Sequence, residues 1–449
     1  MDKRLLALEG RRSSPLKIIL LALLGWALMI NEVFSFENFF LSILVLIAFV
    51  FRGSFNWHKF KGLPWRWFIV VGVFFVLFTI IPVFYYWPVS EAAEGHILKR
   101  AWAVMLVLFV FIAIYLMKPN QSDVWWALIL TATSVLFIIV YEAILHGGVA
   151  AFNSHRFGAE LVNHPISFGV FSNLLTVVLL GGFIWATSTN GVVRVPLLLL
   201  AIMITLMGTL LSNTRSAWIG FPEALIVWTI FYTYWLMNYA NKKQKRIGTV
   251  IALAVSLVFS ALFVAFYDRI ETRVSQAFSD VDRYFEGKGW PGSVGTRLIL
   301  YEVGIQGFTE NPLTGVGLDN AREYQEELSA KISQEVYGKA FQTSYGHLHN
   351  QYIEEAYTRG IFALLGLSVT IVYLLYFFSQ ASRKSEYKRS DSTPWPIVGL
   401  VFVIANSLAM LTESTLSLAS GISNFIYYST LFVVLTHLKM QSPSNHDGL

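Results

Sequence analysis

The stretch VPLLLLAIMITLMGTLLSNTRSAW, Val195–Trp218, decides the fold. Residues 195–212 carry no charged side chain. At 1.5 Å per helical residue such a run covers most of the ~30 Å hydrocarbon core of a bilayer. The polar turn Asn213–Ser216 interrupts it for a few residues, and a second apolar run follows at 217–239. Two runs of this length joined by so short a turn predict an antiparallel pair of membrane-crossing helices. The period-2 alternation of a membrane β-barrel is absent.

The same pattern recurs along the chain. Of 449 residues, 55% are hydrophobic and 14% charged, against roughly 25% charged in a soluble domain. Apolar runs predict twelve spans, near 18–34, 37–52, 67–86, 101–117, 124–145, 165–187, 195–212, 217–239, 248–267, 360–379, 395–412 and 416–436. The fold class is therefore all-α, a polytopic membrane protein with about twelve transmembrane helices. Three regions follow: spans one to nine (1–267), one long, partly helical loop (268–359), and spans ten to twelve with a tail (360–449). The chain has no cysteine, which excludes disulfides, thiolate metal sites and cysteine nucleophiles. The basic N-terminal stretch runs into a span with no small-residue cleavage site, so no removable signal peptide is expected.

Basic residues orient the spans. With the N-terminus inside, twenty of the thirty-three Lys and Arg fall on the cytoplasmic side. Nine of the other thirteen lie in the loop 268–359, and long loops do not obey the positive-inside rule. Both termini are predicted cytoplasmic and the long loop outside. Helical patterning in that loop covers TRLILYEVGIQGF (296–308) and LDNAREYQEELSAKISQEV (318–336), separated by the turn NPLTGVG.

Outside the loop the outward basic residues are Lys99, Arg100, Arg156 and Arg215. Arginines at such places commonly snorkel to headgroups or pair with carboxylates. Buried Glu142 and Glu223 are candidate partners. Arg215 sits in a turn too short to let its guanidinium stray. Guanidinium forks match phosphate oxygens and keep their charge, so Arg156, Arg215 and Arg297 converging on one cavity would suit a diphosphate. Arg297 lies near a helix start, with Ser293 and Thr296 as possible caps, where free N–H groups favour anions.

His347 and His349 form an HxH in SYGHLHNQYIEEAYTRG (344–360). No third or fourth ligand stands near them in sequence, so no metal and no cofactor is expected. Either histidine reads as an interfacial side chain or as a general base for a hydroxyl. A helix starting near His349 would put Tyr352 and Ile353 on its face, so any group orienting the imidazole must come from another segment. The GVG at 315–317 follows no strand and is not a nucleotide loop.

Twelve spans, the loop between spans nine and ten, and HNQYIEEAYTRG resemble the O-antigen ligase family. The family's His, small polar residue and Gly eleven positions on match His349, Asn350 and Gly360. Its Arg-bearing loop helix and Pro-x-x-Gly-x-Gly turn match Arg297, Pro312, Gly315 and Gly317. Its Thr-Arg-Ser stretch maps Arg215. SHRFGAELVNHP resembles the region before span six, mapping Arg156, Gly158, Asn163 and, more weakly, His164. A second Gly often seen after Gly360 is Ala363 here, which touches helix packing and leaves the chemistry alone.

The resemblance implies a glycosyltransferase that moves O-antigen glycan from undecaprenyl diphosphate to a sugar of lipid A–core, on the periplasmic face of a bacterial inner membrane. Catalytic roles are implied for His349, Arg215 and Arg297, and substrate binding for Arg156, Asn350, His347 and His164. Membrane lipids and the two substrates are the expected partners, with no nucleic acid. A direct displacement would invert the anomeric carbon. A retaining route needs a carboxylate nucleophile, for which Glu302, Glu354 and Glu355 are remote candidates. Polymerases and protein O-oligosaccharyltransferases share the signature, so the acceptor stays open. A transporter built around Glu142 and Glu223 is the reading from another class, but no paired halves with broken helices are visible.

Overall fold

The computed structural model describes residues 14–29, 65–77, 109–162, 164–188, 191–240, 242–265, 267–340, 345–383, 394–417 and 419–440, with isolated positions among 43–50, 81, 97 and 342. Most of the expected span at 37–52, residues 101–108 of the expected span at 101–117, both termini, Lys99, Arg100, Asn163 and Ser344 lie outside these residues, as do most of the basic linkers.

Every regular element among the described residues is helical. In chain order they are α1 (Pro15–Met29), α2 (Trp65–Phe75), α3 (Gln121–Leu145), α4 (Ala151–Ser154), α5 (Pro165–Leu180), α6 (Phe183–Ser188) and α7 (Gly191–Leu211). There follow α8 (Arg215–Asn238), α9 (Lys242–Ala265), α10 (Tyr267–Glu286), α11 (Ser293–Glu310), α12 (Ala321–Tyr337), α13 (Gln351–Arg383), α14 (Trp395–Ala409) and α15 (Ala419–Met440). Five stretches are long and apolar enough to cross a membrane: Gln121–Leu145, Pro165–Ser188, Val192–Leu211, Gln351–Arg383 and Gly421–Leu438. Five of the twelve expected spans thus meet that standard among the described residues; α1 and α14 are apolar but shorter.

Local chemistry places the helix ends. Asn120 and Asp123 form a reciprocal capping box at the start of α3, with bonds of 2.8 and 3.0 Å. His164 caps α5 through Nδ1, and Pro165 follows it. Asn350 caps α13: its Oδ1 accepts from Tyr352 N and Ile353 N. The helix therefore starts at Gln351, just after the expected position.

Two cores form. The larger one joins α1, α3, α5, α7, α8, α13, α14 and α15, with Trp125 stacked between Trp185 and Trp395. The smaller one belongs to the polar segment and its junction with α13: Ile299, Leu300, Val303, Val316, Leu328, Ile332, Tyr337, Leu348 and Tyr357. The two expected amphipathic stretches become α11 and α12, which pack on each other over this core.

The two helical parts of α13 meet at Gly360, where φ is 73°. Here the turn Asn311–Gly317 is stitched to the helix. Val316 N donates to Tyr357 O at 2.7 Å and Ile361 N to Pro312 O at 2.8 Å. A Cβ on Gly360 would lie 2.3 Å from Leu313 O, and one on Gly315 2.5 Å from Tyr357 O. Both positions need glycine for positive φ and for backbone approach.

Candidate functional site

The turn after α7 collects four arginines. Ser212 O accepts from Arg156 Nε at 3.2 Å. Asn213, itself at φ 53°, accepts from Arg273 Nε through Oδ1 at 3.2 Å. Arg215 opens α8. Ser216 Oγ accepts from Arg297 Nη2 at 3.2 Å. The convergence that sequence could not establish for Arg156, Arg215 and Arg297 is present, and α10 adds Arg273. Burial first, and then the charges of Arg273 and Arg297, lower the pKa of Arg156. Among the described residues, Asp280, Glu223 and Glu413 are the carboxylates around this cluster. Asp280 lies 3.9 Å from Arg215 Nη1, but it also binds Arg283 at 2.8 Å.

Asp280 corrects one expectation. The start of α11 is capped by neither Ser293 nor Thr296: Gly292 is the cap residue, and Asp280 Oδ2 accepts from Val294 N at 3.1 Å. A Cβ on Gly292 would fall 1.7 Å from Asp280 Oδ1. That helix end is thus occupied by a carboxylate of the protein itself, which leaves the guanidiniums as the anion-attracting groups of this cluster.

An open cavity of 480 Å³ lies between α8 and α10 beside Arg215 and Arg273, walled by Trp218, Pro222, Val274 and Phe278. Glu223 lines it, with Oε2 buried and unbonded. The second expected partner, Glu142, is elsewhere: its carboxylate takes His155 Nε2 at 2.9 Å and backbone N–H groups, and no arginine pairs with it among the described residues.

The histidines meet a carboxylate that the sequence reading missed. Glu413, 3% exposed, comes from the turn after α14. Its Oε2 lies 3.1 Å from His349 Nδ1 and its Oε1 3.5 Å from His347 Nε2. The separation of 64 positions left no local signal. The two rings have different freedoms. His347 Nδ1 accepts from His349 N at 3.4 Å while Nε2 faces Glu413, so both nitrogens are used. His349 directs Nδ1–H at Glu413, and its Nε2 makes no hydrogen bond among the described residues. His349 has φ 55°, a left-handed conformation that a non-glycine residue holds at a cost. Tyr301 OH donates to its carbonyl oxygen at 3.2 Å.

Burial pushes His347 down to about 4, with help from His349, His164 and Arg297 and against the pull of Glu413. Burial also lowers His164. Burial alone would raise Glu413. The hydrogen bond from His349 and the charges of His349, His347 and Arg297 outweigh it and hold this carboxyl below its usual range.

The Ser216 side chain joins the two clusters. Ser216 Oγ, which receives Arg297, donates to Thr412 O at 3.2 Å, next to Glu413. The His164 ring lies 6.1 Å from His347, but its Nδ1 is engaged by Ser167. Asn350 spends both ends of its amide on structure, capping α13 and donating to Leu411 O at 3.0 Å. The candidate nucleophiles are occupied: Glu302 by Tyr284 OH, Glu354 by Leu348 N and Glu355 by Arg359.

His347, His349 and Glu413 have donor atoms within 4.8 Å of one another, so the third ligand that sequence lacked exists in space. Two His and one carboxylate could hold a zinc-like ion. The guanidinium of Arg297, close enough to act on both His347 and Glu413, opposes a divalent cation there.

Residues 197–368 match the family model described as O-antigen ligase. The matched part contains Arg215, Arg273, Arg297, His347 and His349; Arg156, His164 and Glu413 lie outside it. The chain is 28% identical over 225 residues to the O-antigen ligase of Escherichia coli K12, which covers 48% of this chain and 50% of that protein. It is 26% identical over 308 residues to an uncharacterised Haemophilus influenzae protein, covering 66% and 71% respectively.

Proposed function

We propose that this chain, which belongs to the O-antigen ligase family, transfers a glycan from undecaprenyl diphosphate to a hydroxyl of lipid A–core at the periplasmic face of a bacterial inner membrane. The observation that carries the reading is the convergence of Arg156, Arg215, Arg273 and Arg297 on residues 212–216, one bonded step from Glu413. Four guanidiniums gathered on one turn favour a polyanion, and a diphosphate gains negative charge as it leaves. The apolar cavity beside Arg215 and Arg273 suits the isoprenoid tail.

His349 takes the acceptor hydroxyl proton on Nε2 as the oxygen attacks the anomeric carbon and the C–O bond to the diphosphate breaks. Glu413 fixes the tautomer that leaves Nε2 able to accept, and it stabilises the imidazolium. The engagement of Glu302, Glu354 and Glu355 supports a single inverting displacement. The Tyr345 ring, 50% exposed and 5.6 Å from the His349 ring, offers an apolar face to the acceptor sugar.

Purified protein given the lipid-linked glycan and, separately, lipid A–core, a second glycan-lipid or a protein acceptor tests the reading. Transfer to lipid A–core alone supports it. Transfer to the glycan-lipid makes the protein a polymerase, and transfer to protein an O-oligosaccharyltransferase. A metal-dependent reading is favoured by the His347–His349–Glu413 geometry alone, and loss of activity on chelation would establish it.

A further inference from the structure

Glu142 lies in the last turn of α3 and is fully buried. An isolated carboxylate in such a place is costly unless several donors reach it. Four do. Oε2 takes His155 Nε2 at 2.9 Å and Gly158 N at 2.8 Å. Oε1 takes Glu160 N at 3.1 Å and Leu161 N at 3.3 Å. Three of the four are backbone N–H groups of one loop, which has no regular structure to satisfy them.

That loop delivers Arg156. It leaves α4 and ends at His164, the cap of α5. Its path is closed by Phe157 N to Leu211 O at 3.3 Å and His164 N to Gly158 O at 3.0 Å. Gly158 sits at φ 92°, where a Cβ would come 2.4 Å from Phe168 Cβ. Outside it, the His155 ring stacks on His146 at 3.8 Å, and His146 binds Glu160 at 3.1 Å. Glu142 touches neither Arg156 nor any other guanidinium of the cluster among the described residues.

We infer that Glu142 is a positioning residue of the transfer site: it gathers loop 155–161 around one carboxylate and so holds Arg156 against Ser212, facing the diphosphate. The inference rests on the donor-binding reading of Arg156. Its function goes through backbone geometry, because Arg156, which donates from Nε to Ser212 O, stands between His155 and Gly158, both bonded to Glu142. Glu142→Gln keeps the volume and presents one oxygen and one NH2. His155 can adapt by changing tautomer, but the backbone N–H groups cannot become acceptors, so at least one is left facing a donor or unbonded.

The test uses the whole protein in nanodiscs and measures KM for the lipid-linked glycan, kcat and thermal stability. Glu142→Gln is expected to raise donor KM roughly tenfold with kcat little changed, the scale of one buried hydrogen bond misdirected. Arg156→Ala is expected to raise it as much or more, and the double variant to be no worse than Arg156→Ala. Either role lowers the melting temperature; a merely structural one would reduce kcat through loss of active protein, leave donor KM normal and multiply with Arg156→Ala. That multiplication, or a normal donor KM in Glu142→Gln beside a raised one in Arg156→Ala, overturns the inference and leaves the reading of the site standing. A normal donor KM in Arg156→Ala overturns both. Should Glu142→Gln fail to fold, His155→Ala removes one donor and leaves the backbone three; it is expected to raise donor KM roughly threefold, and no rise overturns the inference.

Discussion

Glu413→Gln isolates the role of the carboxylate behind the base. The substitution is isosteric, but the site needs two acceptors at this side chain. His349 brings Nδ1–H to Oε2 at 3.1 Å. His347 accepts the His349 N–H on Nδ1, so its own hydrogen sits on Nε2, toward Oε1 at 3.5 Å. A glutamine has one oxygen for these two donors. If its NH2 turns to His349, the imidazole must adopt the tautomer with hydrogen on Nε2, which cannot accept a proton. If it turns to His347, the tautomer of His349 survives but the negative charge beside it is gone. Opposite unit charges ~3–4 Å apart at an effective dielectric of about 20 interact by about 4–5 kcal/mol. Losing most of that from the developing imidazolium, at 1.36 kcal/mol per decade, predicts a fall in kcat of roughly 100- to 10,000-fold.

The assay is glycan transfer at equal protein abundance, paired with binding of a fluorescent lipid-linked donor. Binding should change less than about threefold, because no guanidinium is touched. In a His349→Ala background, Glu413→Gln should cost almost nothing more, since it acts through the missing ring. Transfer by Glu413→Gln within threefold of the parent protein would refute the dyad. Equal and independent losses in both backgrounds would place Glu413 in some other step.

His349→Ala should lose roughly 100- to 10,000-fold in transfer while still binding donor, and His347→Ala should lose far less, measured side by side; the reverse order would exchange their roles. Arg215→Ala should cost on the order of 100-fold in kcat, and Arg215→Lys part of that, because the charge survives but the fork is lost. Tyr345→Ala should raise KM for the acceptor and leave donor KM alone, with Tyr345→Phe close to normal, as expected of a stacking face. His347, held at about 4 from an ordinary 6.5, binds fewer protons folded than unfolded between those values. Stability should therefore fall as pH drops from about 6.5 toward 4 and be complete above that window, with at most about 3 kcal/mol at stake. Melting temperatures of His347→Gln should lose part of this slope.

How much could be read in advance depended on sequence distance. Helical class was legible because an uncharged run such as 195–212 has one cheap conformation in a bilayer. The roles proposed for Arg215 and His349 could be read because these residues sit inside short stretches that carry their own pattern. Glu413 was not, because its partner lies 64 residues away and nothing in LTESTLS marks it. Arg273 was hidden for a related reason. On an amphipathic helix like α10 an arginine every few residues is ordinary, and only the fold chooses which one reaches Asn213. Glu142 was noticed as a buried carboxylate, yet its partners are mainly backbone N–H groups, which no side-chain pattern can announce. Asn350 shows the converse: its place beside His349 drew attention, and its amide caps a helix.

The physical logic of the site lies in the turn 212–216. A displacement needs positive charge at the leaving group and a neutral base at the nucleophile, and these demands conflict when the groups are close, because guanidiniums depress a base. In the proposed reaction Glu413 reconciles them. Its negative charge is favoured by Arg297 and lies against His349, where it would stabilise the imidazolium that the proposed step forms. Ser216 then ties the two halves through Arg297 on one side and Thr412 O on the other. A shift of that turn would move leaving-group contacts and base together, so their relative geometry survives motions that would uncouple groups carried on separate loops.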